Sequence, residues 1–178
     1  VDELLATVMV MGRAVELEGV SDPGEFAPII RKHRITILGE ALLPAARPST
    51  IDELLTGRMD SHRVRIQGII TRVRSGPKTV VLGLLMGRTI LDIYVPSEVG
   101  LTDPERLVDA SVRLAGVCGT SFNSKRQLEG LSLYVRRPED LRVIKPAPAD
   151  PFDAPLHSIR SLFQFDPDDD SGHRVRVQ

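Results

Sequence analysis

His62–Arg74, HRVRIQGIITRVR, reads as one long β-strand with a glycine at its centre. Val64, Ile66 and Ile70 fall on one face, and Arg63, Arg65 and Gln67 on the other. Gly68 interrupts this alternation where a strand would bend or bulge, because glycine alone leaves room for close backbone approach. A strand that turns a corner can pair along both of its edges, which a small closed barrel requires.

Outward from this strand, the neighbouring segments supply the other parts of such a barrel. Ser49–Gly57, STIDELLTG, carries helix signals: Ser49 or Thr50 as a cap, Asp52 and Glu53 in the first turn, and Gly57 as a stop. Downstream, Ser75-Gly76-Pro77 is a turn, and Lys78–Met86 is a strand joined by Gly87-Arg88 to a second strand, Thr89–Val95. Thr102–Val108 reads as a short helix with Pro104 in its first turn. Asp109–Gly119 is the next strand, Phe122–Gly130 a loop, and Leu131–Val135 a strand that Leu141–Ile144 extends. A short helix between the third and fourth of five strands is the layout of the OB-fold. The expected fold is therefore all-β with short helices, a five-stranded OB-like Greek-key barrel. Another five-stranded barrel and a small β-sandwich are the alternatives.

The flanks repeat the centre. His173–Gln178, HRVRVQ, matches His62–Gln67, HRVRIQ, and differs only in having Val177 for Ile66. Ile159 and Leu162 match Ile51 and Leu54. Val15–Val20, VELEGV, matches Val112–Val117, VRLAGV. This predicts a tandem module of about one hundred residues. Residues 1–48 would be the last two strands of a preceding copy, 49–146 a complete copy, and 147–178 a linker with the helix and first strand of a following copy. In the first part, Asp2–Ala6 is expected to form a helical turn, Gly12–Val20 and Phe26–Leu38 strands, and Ser21–Gly24 a turn. In the last part, Lys145–Pro155 reads as a stiff proline-rich linker, His157–Phe165 as a short helix or turn, and Asp166–Gly172 as an acidic loop. Two strands alone cannot bury a face. They must dock on the barrel, on neighbouring copies of the module, or on another chain, so a homodimer formed by strand exchange is an option. The chain begins at Val1 and ends within a strand pattern, which leads us to expect a fragment of a longer protein.

Bulk composition narrows the function. Basic and acidic residues balance at 23 and 24, giving a net charge of −1, so no global field attracts nucleic acid or an anionic membrane. Aromatic residues make up 4% and tryptophan is absent, which argues against a platform for stacking bases. No apolar run is long enough to span a bilayer as a helix. The single cysteine, Cys118, excludes an internal disulfide and a cysteine-rich zinc site, and its strand pattern places it in the core.

The run VRLAGVCGTSFNSKRQLEGLSLYV, followed by PEDLRVIKPAPADPFDAP, SIRSLFQFDP and HRVRVQ, resembles the tandem OB-like modules in the extracytoplasmic regions of acidobacterial sensor histidine kinases. The resemblance extends from about Val15 to Gln178. It implies a periplasmic sensing or spacer region of a two-component system, held by an inner-membrane protein, and supplies no catalytic residue and no known ligand. No transmitter, dimerisation helix or ATP-binding segment is recognisable in this chain, so kinase activity is not assigned to it.

Direct searches for chemistry give little. His33, His62, His157 and His173 form no metal-binding spacing, and His62 and His173 read as strand-opening residues bonded to backbone. The acidic run Asp166–Asp170 lacks the spaced ligands of a calcium loop. No nucleophile or phosphate-loop motif is present, and no catalytic residue, metal or cofactor is expected. Two basic clusters remain. Arg72, Arg74, Lys78 and Arg88 surround the first turn and the hairpin. Lys125, Arg126, Arg136 and Arg137 surround the loop between the last two barrel strands; Phe122, Asn123, Lys125 and Arg126 are the loop's candidate contacts, and Asn123 is expected to adopt positive φ. In OB-folds these regions contact ligands. The expected function is non-catalytic binding of a small ligand or an envelope protein, or a spacer role. The alternatives are a nucleic-acid-binding OB protein, disfavoured by the missing aromatics, and a carbohydrate- or protein-binding envelope module.

Overall fold

The computed structural model describes residues 12–24, 29–123, 125, 127–154, 156–160 and 172–178. The expected turn at Asp2–Ala6, Phe26, most of the 157–165 helix and the acidic run lie outside the described residues. The chain divides into two compact units, one of Val1–Ala45 with Phe122–Gln127, the other of Ala46–Ser121 with Leu128–Gln178.

In the larger unit, β4 (Arg63–Ser75), β5 (Thr79–Met86), β6 (Thr89–Pro96), β7 (Ser111–Phe122) and β8 (Leu128–Tyr134) pair in the order β4-β5-β6-β8-β7. A further β4–β7 pairing returns the order to its start. The β6–β8 pair is parallel, whereas β4–β5, β5–β6 and β4–β7 are antiparallel. This is the OB-fold arrangement, and the protein is all-β with short helical turns. Between β6 and β7, the expected helix is a 3₁₀ turn, Pro104–Leu107.

The bent strand is what brings the two edges together. Arg63 to Ile69 pair with β7, and Ile69 to Ser75 pair with β5, so the chain changes partner at Ile69. Gly68 sits one residue earlier, where a Cβ would overlap the Leu85 carbonyl oxygen. Close approach of two backbones, and not a positive φ, is what requires glycine here. Val64, Ile66 and Ile70 are buried as their alternation predicts, against Leu82, Leu84, Leu91, Ile93, Val112, Leu114 and Leu133. Cys118 belongs to the same core at 2% exposure. Burial pushes its thiol up to about 11, with the Asp60 carboxylate adding to the effect, so it stays protonated and unreactive.

Helix α1 (Ile51–Leu55) precedes the barrel. Its N-cap is Thr50, in a reciprocal capping box with Glu53, and Gly57 follows at φ 71°. Leu54 is the buried residue of this helix and joins the barrel core. β3 (Arg47–Pro48) pairs with β4, and β9 (Leu141–Lys145) pairs with the outer edge of β7, as the sequence suggests for Leu141–Ile144.

Two sequence expectations for the last part are corrected. His157 lies in a short strand, β10 (Leu156–His157), and the expected turn is seen, among the described residues, only at Ile159 and Arg160; the strand expected over His173–Gln178 is reduced to β11 (Arg176–Val177), which pairs in parallel with β10. In the proline-rich segment after Lys145, Ala147 packs against the core and Ala154 is 5% exposed.

The smaller unit contains an antiparallel hairpin of β1 (Arg13–Asp22) and β2 (Ile29–Glu40). The Asp22 carboxylate accepts from the Gly24 N–H and pairs with Arg31 at 2.8 Å. Most apolar residues of the hairpin are exposed, including Val15, Leu17, Val20, Ile29, Ile30 and Ile37, whereas Ile35 is half-buried.

Candidate functional site

The first predicted cluster lies on the outer surface of β4, β5 and β6. Cross-strand register places Arg72 opposite Gly83 and Gly83 opposite Asp92. The Arg72 side chain crosses the space left open at Gly83, where a Cβ would collide with Arg72 Cγ, and its Nη2 donates to Asp92 at 2.7 Å. Arg74 lies 3.6 Å from the other Asp92 oxygen. One carboxylate on the third strand therefore offsets one of the four positive charges of the first cluster and holds Arg72 and Arg74 against the sheet. Lys78 and Arg88 are exposed but occur at opposite ends of β5, about 25 Å apart for an eight-residue strand. The four side chains are not gathered into one site.

The nearby aromatics are also engaged with each other. Tyr94 and Tyr134, aligned by the parallel β6–β8 pairing, stack at 5.3 Å and 19°. Tyr134 lies over Gly119, where a Cβ would meet its ring.

The second cluster belongs to the smaller unit. Phe122 ends β7 half-buried. Asn123 organises the loop in a way that the sequence reading missed: it is not among the residues with positive φ. Instead, its Oδ1 accepts from the backbone N–H groups of Lys125 and Gln127, both at 3.0 Å, and its Nδ2 donates to Gln127 Oε1 at 3.1 Å. This is side-chain mimicry of a turn, available to asparagine without a left-handed backbone. Lys125 is exposed, and Arg126 lies outside the described residues.

Neither histidine of the HRVR repeat has the environment of a metal ligand, and no metal-binding group of three is present among the described residues. His62 Nδ1 lies 2.8 Å from the Asp60 carbonyl oxygen, the backbone contact expected from sequence. His173 differs. Its Nδ1 is 2.9 Å from the buried Asp109 carboxylate, which also accepts the Arg174 N–H at 2.9 Å, and its Nε2 is 3.4 Å from Ser111 Oγ. Asp109 adopts φ 76° to present this carboxylate. The arrangement fastens the chain around His173 to the start of β7. Beside it, a cleft of about 740 Å³ is lined by Glu105, Arg106, Asp109 and Arg174, with Pro146–Ala149 as its apolar wall.

A second concavity, of about 310 Å³, lies over β4, β7 and β9, with Arg63, Arg65, Arg113 and Arg142 around it. Arg63 donates to the buried Asp140 at 2.6 Å. Asp140 also binds Arg137, and this hydrogen bond raises the Arg137 guanidinium above its usual range. This arginine group was not singled out from sequence, because its members are spread over 142 − 63 = 79 positions and meet only through strand register.

No protein-family model matches the chain, and no curated protein matches it. Several solved structures are similar to it. Asparaginyl-tRNA synthetase from Pyrococcus horikoshii complexed with asparaginyl-adenylate is 18% identical, over 60% of this chain and 24% of that one, with a TM-score of 0.43. Aspartyl tRNA synthetase from Entamoeba histolytica is 17% identical, over 62% and 25%, with a TM-score of 0.42. OBody AM3L09 bound to hen egg-white lysozyme is 10% identical, over 58% of this chain and 100% of that one, with a TM-score of 0.42. The chain thus spans about a quarter of the synthetases. No helix among the described residues is long and apolar enough to cross a membrane.

Proposed function

We propose that this chain is a non-catalytic stretch of tandem OB-like modules from the extracytoplasmic part of a two-component sensor histidine kinase. It binds a small ligand or an envelope protein and passes the event along the array. The supporting observation is that one of the sequence matches falls on a strand in both places. VELEGV lies in β1, paired with β2, and VRLAGV lies in β7, beside β8, at an offset of 112 − 15 = 97. Gly19 and Gly116 correspond, and at each a Cβ would crowd the backbone of the partner strand, at Arg31 and Tyr134 respectively. On this reading β1–β2 is the end of one module, and HRVRVQ opens the next.

Partner choice follows from the charge pattern. With Arg72 and Arg74 sharing Asp92, and Tyr94 and Tyr134 stacked on each other, the outer face of β4–β6 offers reduced basic charge and tyrosines already engaged, which disfavours a single-strand reader. Protease added to spheroplasts of the native host should degrade this region, while intact cells protect it. Survival in spheroplasts would refute the extracytoplasmic placement. The nucleic-acid alternative predicts binding of single-stranded oligonucleotides at low salt, where phosphate contacts are strongest, and we expect none on the β4–β6 face.

A further inference from the structure

We propose that the concavity over β4, β7 and β9 is an anion site for the phosphate group of a small molecule, with Arg65, Arg113 and Arg142 as its ligands. The inference does not depend on the sensor reading. Register places Arg113 directly opposite Arg142 on one side and Gln67 on the other, with Arg65 on its diagonal. Like charges directly opposite each other on a sheet repel and destabilise it. None of the three makes an ion pair among the described residues. The nearest acids are already committed: Asp140 to Arg63 and Arg137, and Glu139 to Arg137. The sheet therefore carries a repulsive row whose counter-charge must come from outside it.

The shape of the site selects the class of anion. Ala115, opposite Arg65, leaves room between the guanidinium groups, and the cavity holds about 310 Å³. That volume is at the lower end for small-molecule sites. Guanidinium forks match the paired oxygens of a tetrahedral oxyanion, and three of them suit a dianion. Glu139 and Asp140 at the margin disfavour a continuous polyanion track and favour one compact group. The site is remote in register from the Arg72–Asp92 surface, so the two can be probed separately.

The test is a titration at low ionic strength, following arginine Nε–Hε resonances with inorganic phosphate and with glucose 6-phosphate, and with acetate as control. Saturable shifts confined to Arg65, Arg113 and Arg142 are expected with both phosphates. Tighter binding of one arm identifies the free ion or the ester as the ligand form. Arg113→Gln, an exposed change, should weaken binding at least about tenfold. The same variant should melt higher than the parent without phosphate, since one repelling charge is gone, and should lose the phosphate-induced rise in Tm. A Lys78→Gln, Arg88→Gln double variant should bind as the parent does. No saturable shift, or shifts unchanged in Arg113→Gln, would overturn the proposal. So would tighter, Arg113-dependent binding of an oligothymidylate, which would reassign the patch to nucleic-acid backbone.

Discussion

β1 and β7 carry nearly the same message in very different surroundings. In VRLAGV, Val112 and Leu114 are fully buried at the heart of the barrel. In VELEGV, the matching Val15 and Leu17 are 47% and 45% exposed. Both segments form strands, and both place a glycine against the partner backbone. Strand formation is thus encoded locally, by alternation and glycine placement, whereas burial depends on how many strands complete the sheet. β7 has β4, β8 and β9 beside it; among the described residues β1 has β2.

The strongest way to break this contrast is to truncate the matched leucines. Leu114→Ala should destabilise the protein by about 2–5 kcal/mol, as buried leucines do. Leu17→Ala should stay within about 0.5 kcal/mol in the same urea titration. Equal losses would mean that the hairpin shares the core.

A second effect confines itself to the barrel. The Cys118 thiol is raised to about 11 in the folded chain, from an ordinary value of 9.0. Its contribution is fully present below pH 9. As pH rises from 9 to 11, the unfolded chain loses the proton while the folded chain keeps it. Stability should fall by about 2–3 kcal/mol over that window, and Cys118→Ala should remove this alkaline loss. Alkylation of the native protein at pH 8 should require opening of the barrel. Rapid labelling would contradict the placement of Cys118 in the core.

A smaller effect tests the helix at the barrel's beginning. Thr50→Ala removes a capping box and should lower stability by about 1 kcal/mol, measured by thermal melting. An equal change at Thr36, on the exposed hairpin, should move the melting temperature little.

The barrel was legible because its signals are local. Gly68 within an alternating strand, the Ser49 or Thr50 cap before an acidic first turn, and the Gly87 hairpin each announce themselves within a few residues. The interactions that define the surfaces were not legible. Asp92 captures Arg72 twenty positions earlier, because Gly83 on the intervening strand has no side chain. Asp109 holds His173 from 64 positions away, and the Arg65–Arg113–Arg142 row exists only through register. Asn123 was read as a turn former, but by backbone conformation when its side chain does the work. Composition counts charges without saying which are already paired.

The most direct test of the contrast is amide hydrogen exchange under native conditions. The account predicts that amides of Val64–Ile70 and their β7 partners exchange only through global unfolding, while those of β1 and β2 exchange orders of magnitude faster by local opening. Hairpin amides as protected as those of β4, or fast exchange at the β4–β7 seam, would contradict the contrast between the buried barrel strands and the exposed hairpin.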